Sequence, residues 1–520
     1  MRIKNSINNI VTGLIGQLII TLTGFVTRTV FIKMLGSTYL GVSGLFGNIL
    51  TVLSMAEMGI GQAIIFSLYK PIAEKDEDRI CSLMKLYSTV YHALFFIVFI
   101  LGISILPFLK WIVKDIDLIP NLRIIYIMYV ANSALSYLFS YRSTFITACQ
   151  KNYIINSVGF ICNISMSVAQ IISLIFFKNY FWYLGIQIGF SVLQNFIIYI
   201  YSSKLFPFLK RKHVSMLPRD ELKKIKDNVS ALILYKIGTL ALNSTDNIII
   251  SAFVGVIAVG QYSNYVLLQS SVNGFLSTIF SNLTASIGNL NVKESNEKKL
   301  FMFNVINLAS YWFYSVCSIC LFTCMTPFIH LWIGNDYILP VSVILIICIN
   351  MYIAGMLFAP FNYRQTMGLF VQGKMRPIIS AVVNIVVSII FAKYWGLAGV
   401  LWGTAVARLS TNVWFDPYLV LKKGLNTSPI RYYIDYLKKL VQVCITGSLC
   451  YFISNLIPDI NIGLLIFKAL VTFTIANFIN IICYAKTKEF EYLFNVLKNF
   501  KGIIAKNPEM RVKDKENENN

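Results

Sequence analysis

The chain has 520 residues, of which 57% are hydrophobic and only 13% are charged, and its mean hydropathy is +0.67. Soluble globular proteins carry about 25% charged residues, so this composition excludes a soluble domain and indicates an integral membrane protein. The formal net charge of +22 would suit a nucleic-acid-binding protein. However, the cations gather in alternate connections between apolar runs, which argues against nucleic acid as a partner.

Apolar runs long enough to cross the bilayer as helices recur along the chain, because about 20 residues span the roughly 30 Å of hydrocarbon. We therefore expect an all-α integral membrane protein with about fourteen transmembrane helices. The runs lie at approximately 9–33, 40–68, 83–109, 119–148, 153–177, 180–203, 228–253, 258–288, 301–332, 339–369, 377–395, 397–421, 437–457 and 461–485.

Lys and Arg are concentrated in every second connection, most densely at 204–226. The connections 254–260, 333–338 and 457–462 have none. This is the positive-inside pattern, which predicts that both termini are cytoplasmic and that the number of helices is even. The basic connections are also candidate contacts for membrane lipids with anionic head groups.

Two segments at a separation of 219 residues resemble each other, LGSTYLG at 35–41 and VGVIAVG at 254–260. The same separation pairs Asp78-Arg79 with Glu297-Lys298. A separation of six helices returns the chain to the same membrane face, so we expect two parallel six-helix repeats. The predicted divisions are an N-terminal lobe at 1–218, a C-terminal lobe at 219–425, two extra helices at 426–487 and a cytoplasmic tail at 488–520.

Charged residues within the apolar runs are the candidate functional residues. A charge at the bilayer centre costs about 2.5–3.5 kcal/mol on insertion scales, so it usually faces a protein-lined cavity. Arg28, Lys236 and Arg408 predict a cationic cavity that binds an anionic substrate. Asn243, Gln269 and Asn273 share helix faces with such charges or with other polar residues and are candidate substrate contacts. For these amides, hydrogen bonding between helices is the alternative.

Asp246 and Glu57 are the candidate ion-coupling residues. Asp246 shares a helix face with Lys236, so it is either a counter-ion that limits the positive charge of the empty cavity or a protonatable or sodium-binding switch. Glu57 is either a cation site or a counter-ion for Arg142 or Arg364. The sequence leaves both pairs of alternatives open.

Motifs for catalysis are missing from the sequence. There is no GxxxxGK[ST] phosphate loop, no HExxH motif and no zinc-ligand spacing. The CxxC spacing of Cys317 and Cys320 lies in an apolar run without a His or acidic partner in register, which favours buried thiols. We therefore expect no enzymatic activity, no catalytic residues, no cofactor and no structural metal.

The chain resembles the Wzx-type polysaccharide flippases of the multidrug/oligosaccharidyl-lipid/polysaccharide (MOP) exporter superfamily. The resemblance covers about residues 5–485 and is carried by a series of short segments. They are RTVF at 28–31, LGSTYLG at 35–41, GLF at 44–46, AEMGI at 56–60, YKP at 69–71, TDNIIIS at 245–251, GQYSNY at 260–265, ASIGN at 285–289 and WFDP at 414–417.

This resemblance implies alternating access in a bacterial cell membrane. The implied substrate is an undecaprenyl-pyrophosphate-linked oligosaccharide, moved from the inner to the outer leaflet for capsule, O-antigen or exopolysaccharide synthesis. A polysaccharide polymerase and a chain-length regulator are implied candidate partners, and we expect a monomer. Three alternatives stay open: a flippase for the peptidoglycan precursor lipid II, a cation-coupled drug exporter, and a membrane polysaccharide polymerase.

Overall fold

The computed structural model describes residues 2–54, 74–113, 119–149, 151–211, 245–367, 375–458 and 460–496, with isolated positions such as 57 between these ranges. Side chains of some helical residues, chiefly 2–15, 281–286 and 288–293, lie outside this description. Throughout the described ranges the chain is helical and contains no strand, so the prediction of an all-α fold is confirmed.

The described ranges contain fifteen α-helices. They are α1 (Arg2–Leu53), α2 (Glu77–Ser104), α3 (Leu109–Ile112), α4 (Leu122–Ala148), α5 (Asn152–Phe177), α6 (Tyr180–Leu205), α7 (Asp246–Phe253), α8 (Val256–Lys293), α9 (Asn296–Ile333), α10 (Val341–Met356), α11 (Phe358–Thr366), α12 (Arg376–Ala407), α13 (Val413–Tyr418), α14 (Ile430–Asn455) and α15 (Ile462–Tyr484). Two π-helical segments, Arg408–Asn412 and Leu419–Gly424, flank α13.

The protein is a multi-pass membrane protein. Among the described residues, 9 helical stretches are long and apolar enough to cross a bilayer, from Leu18–Leu53 to Ile462–Tyr484. Large apolar side chains on these stretches face outward, for example Phe176, which is 76% exposed. Such exposure is expected where lipid rather than water surrounds a helix. The total of fourteen helices stays a prediction, because part of the chain lies outside the described ranges.

Glycines with positive φ mark the breaks between consecutive helices. Gly36 (φ 81) kinks α1, Gly255 (φ 137) separates α7 from α8, and Gly396 (φ 54) kinks α12. Glycine adopts this left-handed region without the steric cost that a Cβ imposes. The kinks in α1 and α12 fall in the breaks predicted at 33–40 and 395–397.

Helix boundaries repeat with the separation found in the sequence. α2 and α9 begin at Glu77 and Asn296, and α4 and α10 begin at Leu122 and Val341, in each case 219 residues apart. Gly36 and Gly255 have the same separation. These coincidences support the parallel repeat that the sequence predicts, while the predicted lobe boundaries stay a prediction.

The chain divides into two compact units. Unit 1 comprises residues 1–275, 332–343 and 374–407, and unit 2 comprises 276–331, 344–373 and 408–520. In unit 1, the Phe46 ring packs edge-to-face on Tyr126 and Tyr129 within a large buried cluster. In unit 2, Val316 and Ile319 of α9 pack with Cys450 of α14 and Ala476 of α15.

Candidate functional site

Arg28 is half-buried in α1, and neutral side chains of α8 bind it. Its Nε donates to Asn264 Oδ1 at 3.0 Å, and its Nη2 donates to the Ser263 hydroxyl. None of the carboxylates that the structure describes pairs with it. The guanidinium is therefore oriented by hydrogen bonds while its positive charge is not neutralised, which is the state that an anion-binding group needs.

Close approach of the two repeat segments brings α8 to Arg28. A Cβ on Gly41 would lie 1.9 Å from the Val256 carbonyl oxygen, and a Cβ on Gly260 would lie 2.3 Å from the Ser37 carbonyl oxygen. Only glycine permits such backbone contact. Ser263 and Asn264 follow Gly260 by one helical turn, so this contact places them beside α1.

Tyrosine hydroxyls surround the same part of unit 1. Tyr129 donates to Ser43 Oγ at 2.9 Å and shares a 2.8 Å hydrogen bond with Tyr180. Tyr180 stacks on Tyr183, and all three phenols lie within electrostatic range of Arg28. Sequence reasoning missed these residues because aromatic side chains are common in membrane spans. Their hydroxyls add hydrogen-bonding capacity beside the cation.

Asp246 begins α7 and accepts hydrogen bonds from a polar network within unit 1. Thr404 Oγ1 lies 3.1 and 3.0 Å from the two carboxylate oxygens. Asn384 Nδ2 donates to Thr404 Oγ1 at 2.8 Å, and Thr245 donates to Asn384 Oδ1 at 3.1 Å. Because Thr404 has a single proton and accepts one from Asn384, it donates that proton to the carboxylate.

The surroundings of Asp246 are rich in oxygen. On the two arms of kinked α12, Ser388 Oγ donates to the Val400 carbonyl at 2.9 Å, one turn from Asn384 and Thr404. Oxygen ligands of these kinds suit a hard cation, and the carboxylate can also bind a proton. No group of three or more His, Cys, Asp or Glu able to hold a metal ion occurs in the described part of the chain.

Glu57 lies within hydrogen-bonding reach of the Tyr91 and Tyr137 hydroxyls, both of which are buried. The two arginines proposed as its partners have other contacts. Arg142 is buried, donates to the Leu209 carbonyl at 3.4 Å and lies over the Tyr199 ring. Arg364 forms a fully buried 2.9 Å ion pair with Asp416, a partner that the sequence had not assigned to it.

Of the remaining candidate residues in the described ranges, one lies in unit 2 and two lie on α8 in unit 1. Arg408 is half-buried in unit 2, where its Nη1 donates to the Asn350 carbonyl at 2.9 Å. Gln269 and Asn273 are half-buried on α8, beyond Asn264. Lys236 and Asn243 lie outside the described residues, so their predicted roles stay predictions. The structure thus brings Arg28 and Asp246 each into a defined polar cluster in unit 1.

Solved structures of membrane transporters share this fold. The lipid II flippase MurJ, in an inward closed conformation, superposes with a TM-score of 0.64 at 16% identity, over 91% of this chain and 99% of that one. An inward-facing MATE family multidrug resistance transporter of the MOP superfamily gives 0.58 at 13% identity, over 77% and 96%. A variant of the MATE transporter VcmN from Vibrio cholerae gives 0.53 at 12%, over 78% and 93%.

The sequence itself matches no family model and no curated protein. At these identities the structural likeness concerns the fold alone. The chain has the fold of MurJ and MATE transporters of the MOP superfamily.

Proposed function

We propose that this protein is a Wzx-type flippase that moves an undecaprenyl-pyrophosphate-linked oligosaccharide from the inner to the outer leaflet of a bacterial membrane. The observation that carries the proposal is Arg28: an arginine in a membrane-spanning helix whose described partners are the neutral side chains of Ser263 and Asn264. The fold supports it, because the lipid II flippase MurJ matches 91% of the chain.

Moving a pyrophosphate-linked oligosaccharide across the hydrocarbon layer explains why a cation within the membrane is useful. A pyrophosphate and its attached sugars cannot cross hydrocarbon without their hydration being replaced. Arg28 would bind phosphate oxygens with its planar guanidinium, and the hydroxyls of Tyr129, Tyr180 and Tyr183 would hydrogen-bond the polar head. The lipid tail would stay in the bilayer. Lys236 and Arg408 are proposed as further cations, and Asn243, Gln269 and Asn273 as further polar contacts.

Ion coupling is assigned to Asp246, with Glu57 as a second candidate. The Asn384–Thr404–Asp246 network supports this role, because binding a cation or proton would change the hydrogen bonding between α7 and α12. A ligand with different affinities for two conformations shifts their populations. Outward movement of an anion is already favoured by about 2.3 kcal/mol per charge per 100 mV when the inside is negative, so coupling would set direction and rate.

Depletion of the protein in its native host tests the proposal. We expect an undecaprenyl-pyrophosphate-linked oligosaccharide to accumulate on the cytoplasmic leaflet, and re-expression of the wild type to clear it. Accumulation of lipid II instead would assign the chain to peptidoglycan synthesis. Sensitivity to drugs without any lipid-linked intermediate would assign it to drug export. Accumulation of outward-facing repeat units would indicate a polymerase.

A further inference from the structure

Unit 2 contains a cavity of about 510 Å³ that is separate from the Arg28 and Asp246 clusters. It lies among the N-terminal part of α9, the N-terminal half of α14 and the chain that follows α15. These segments adjoin the basic connections at 293–299, 422–431 and after 486, so the positive-inside pattern predicts that the cavity lies at the cytoplasmic surface of the membrane.

The lining carries both signs of charge. Lys439 is 3% exposed and forms a 2.7 Å ion pair with Asp435. Arg431 lies exposed one turn before Asp435, and Glu489 lies within electrostatic range of Lys439. Two cations and two carboxylates therefore face one space. A purely anionic ligand would be repelled by the carboxylates, whereas a zwitterion would complement both pairs.

Asn307 supplies a second and independent indication of a ligand. It lines the cavity, is only 2% exposed, and its buried Oδ1 has no hydrogen-bond partner among the described residues. A buried acceptor without a hydrogen bond is unfavourable, so a ligand that donates a hydrogen bond here would be favoured. An N–H of a primary ammonium meets this requirement. A quaternary ammonium has no N–H and does not.

We propose that this cavity binds the zwitterionic aminoethyl phosphate head group of a phosphatidylethanolamine-type lipid in the inner leaflet. The phosphate would contact Arg431 and Lys439, and the ammonium would contact Asp435, Glu489 and Asn307. The apolar side chains of Leu300, Phe303 and Leu421 also line the cavity and suit the glycerol and first acyl carbons. This site is distinct from the site proposed for the transported substrate.

Native mass spectrometry on the purified full-length protein tests the assignment. We expect dioleoyl phosphatidylethanolamine to bind about tenfold more tightly than dioleoyl phosphatidylcholine or dioleoyl phosphatidylglycerol, because only the first satisfies both charge pairs and Asn307. Arg431→Gln and Glu489→Gln should each weaken it about fivefold, since each removes one charge-assisted contact. Both positions are at least partly exposed, so these variants should fold.

Matched controls lie on the same segments. Lys438→Gln and Glu491→Gln remove the same charges from exposed positions outside the cavity and should leave binding unchanged. Equal affinity for the three lipids, tighter binding of phosphatidylglycerol, or equal effects of cavity and control variants would overturn the proposal. Binding of free phosphoethanolamine without any preference among the lipids would assign the cavity to a soluble zwitterion and overturn the lipid assignment.

Discussion

Arg28 can be tested separately from folding, because its partners are two neutral side chains and not a buried ion pair. We expect Arg28→Ala to reduce translocation about 10- to 150-fold, which corresponds to a lost charge-assisted hydrogen bond of about 1.5–3 kcal/mol, while the protein still inserts. Arg28→Lys should recover part of the activity, since an ammonium keeps the charge but loses bidentate geometry. The measurement is the rate at which lipid-linked oligosaccharide reaches the outer leaflet.

A control for this experiment is Ser263→Ala, which removes one orienting hydrogen bond and keeps the cation. Its effect should be smaller than that of Arg28→Ala. Lys236→Ala and Arg408→Ala should also impair transport, because each removes a cation from an apolar run. Normal polymer export by all three alanine variants would leave the cationic cavity without support.

Asp246 offers a test of ion coupling, because its charge can be removed with almost no change in shape. We expect Asp246→Asn to transport at a rate that no longer responds when the proton and sodium gradients are collapsed separately. Thr404→Val should weaken the same response, because it removes the hydroxyl that donates to the carboxylate. Asp246→Asn transport with the wild-type gradient response would instead favour a counter-ion role.

At the scale of single residues, the sequence predicts which charged residues are functional but not which side chains they contact. Arg28 and Asp246 stand out because each is a charge in an apolar run. Ser263 and Thr404 do not stand out, since small hydroxyl residues in spans more often bond within their own helix or to a neighbour. Their roles depend on contacts across 235 and 158 residues of chain, which only the folded structure defines.

At the scale of the helices, the two repeat segments make reciprocal contacts. Gly41 meets the backbone of Val256, and Gly260 meets the backbone of Ser37. Moving Ser37 and Gly41 by 219 residues gives Val256 and Gly260, so each contact is the counterpart of the other. This is the relation expected of two copies about a pseudo-two-fold axis. Glycine at both positions permits the symmetric close approach.

This close contact predicts opposite effects for two glycines of α1. Gly41→Ala should destabilise the protein by about 1–3 kcal/mol, because its Cβ would overlap the Val256 carbonyl. Gly47→Ala should be neutral or stabilising by up to about 1 kcal/mol, because nothing lies within 4 Å of that Cβ and alanine favours a helix. Thermal unfolding of both variants in detergent is the measurement. Equal unfolding temperatures would show that the repeats do not pack this closely.

Helix breaks were predictable, but the local helix type was not. Gly36 and Gly396 fall in the breaks between neighbouring predicted spans. By contrast, Arg408 and Asp416, which are eight residues apart, would lie on one face of a regular α-helix with 3.6 residues per turn. The π-helical turns at Arg408–Asn412 and Leu419–Gly424 change that register, and Asp416 pairs with buried Arg364. A π-helical turn has no simple sequence signal and usually depends on tertiary contacts.

At the scale of the whole molecule, the all-α membrane fold that hydropathy predicts is the fold that the structure has. A superposition on MurJ over 91% of the chain requires the order of helices to be shared, even at 16% identity. Hydropathy predicted this architecture because the bilayer requires every backbone polar group to be satisfied within helices. Neither the fold nor hydropathy specifies the sugar or the coupling ion, since those depend on side chains at the site.

The orientation of the molecule in the membrane is the prediction on which transport direction depends. The alternating Lys and Arg predict cytoplasmic termini and a cytoplasmic connection at 204–226. Arg211 in this connection is exposed and pairs with Glu77 and Asp78 at the start of α2, which places both connections on one membrane face.

Reporter fusions after 211, 294 and 487 should therefore be active only as cytoplasmic reporters. Fusions at 255 and 458 should be active only as external ones. An external signal after residue 211 would reverse the orientation, the expected direction of substrate movement and the leaflet assigned to the lipid cavity.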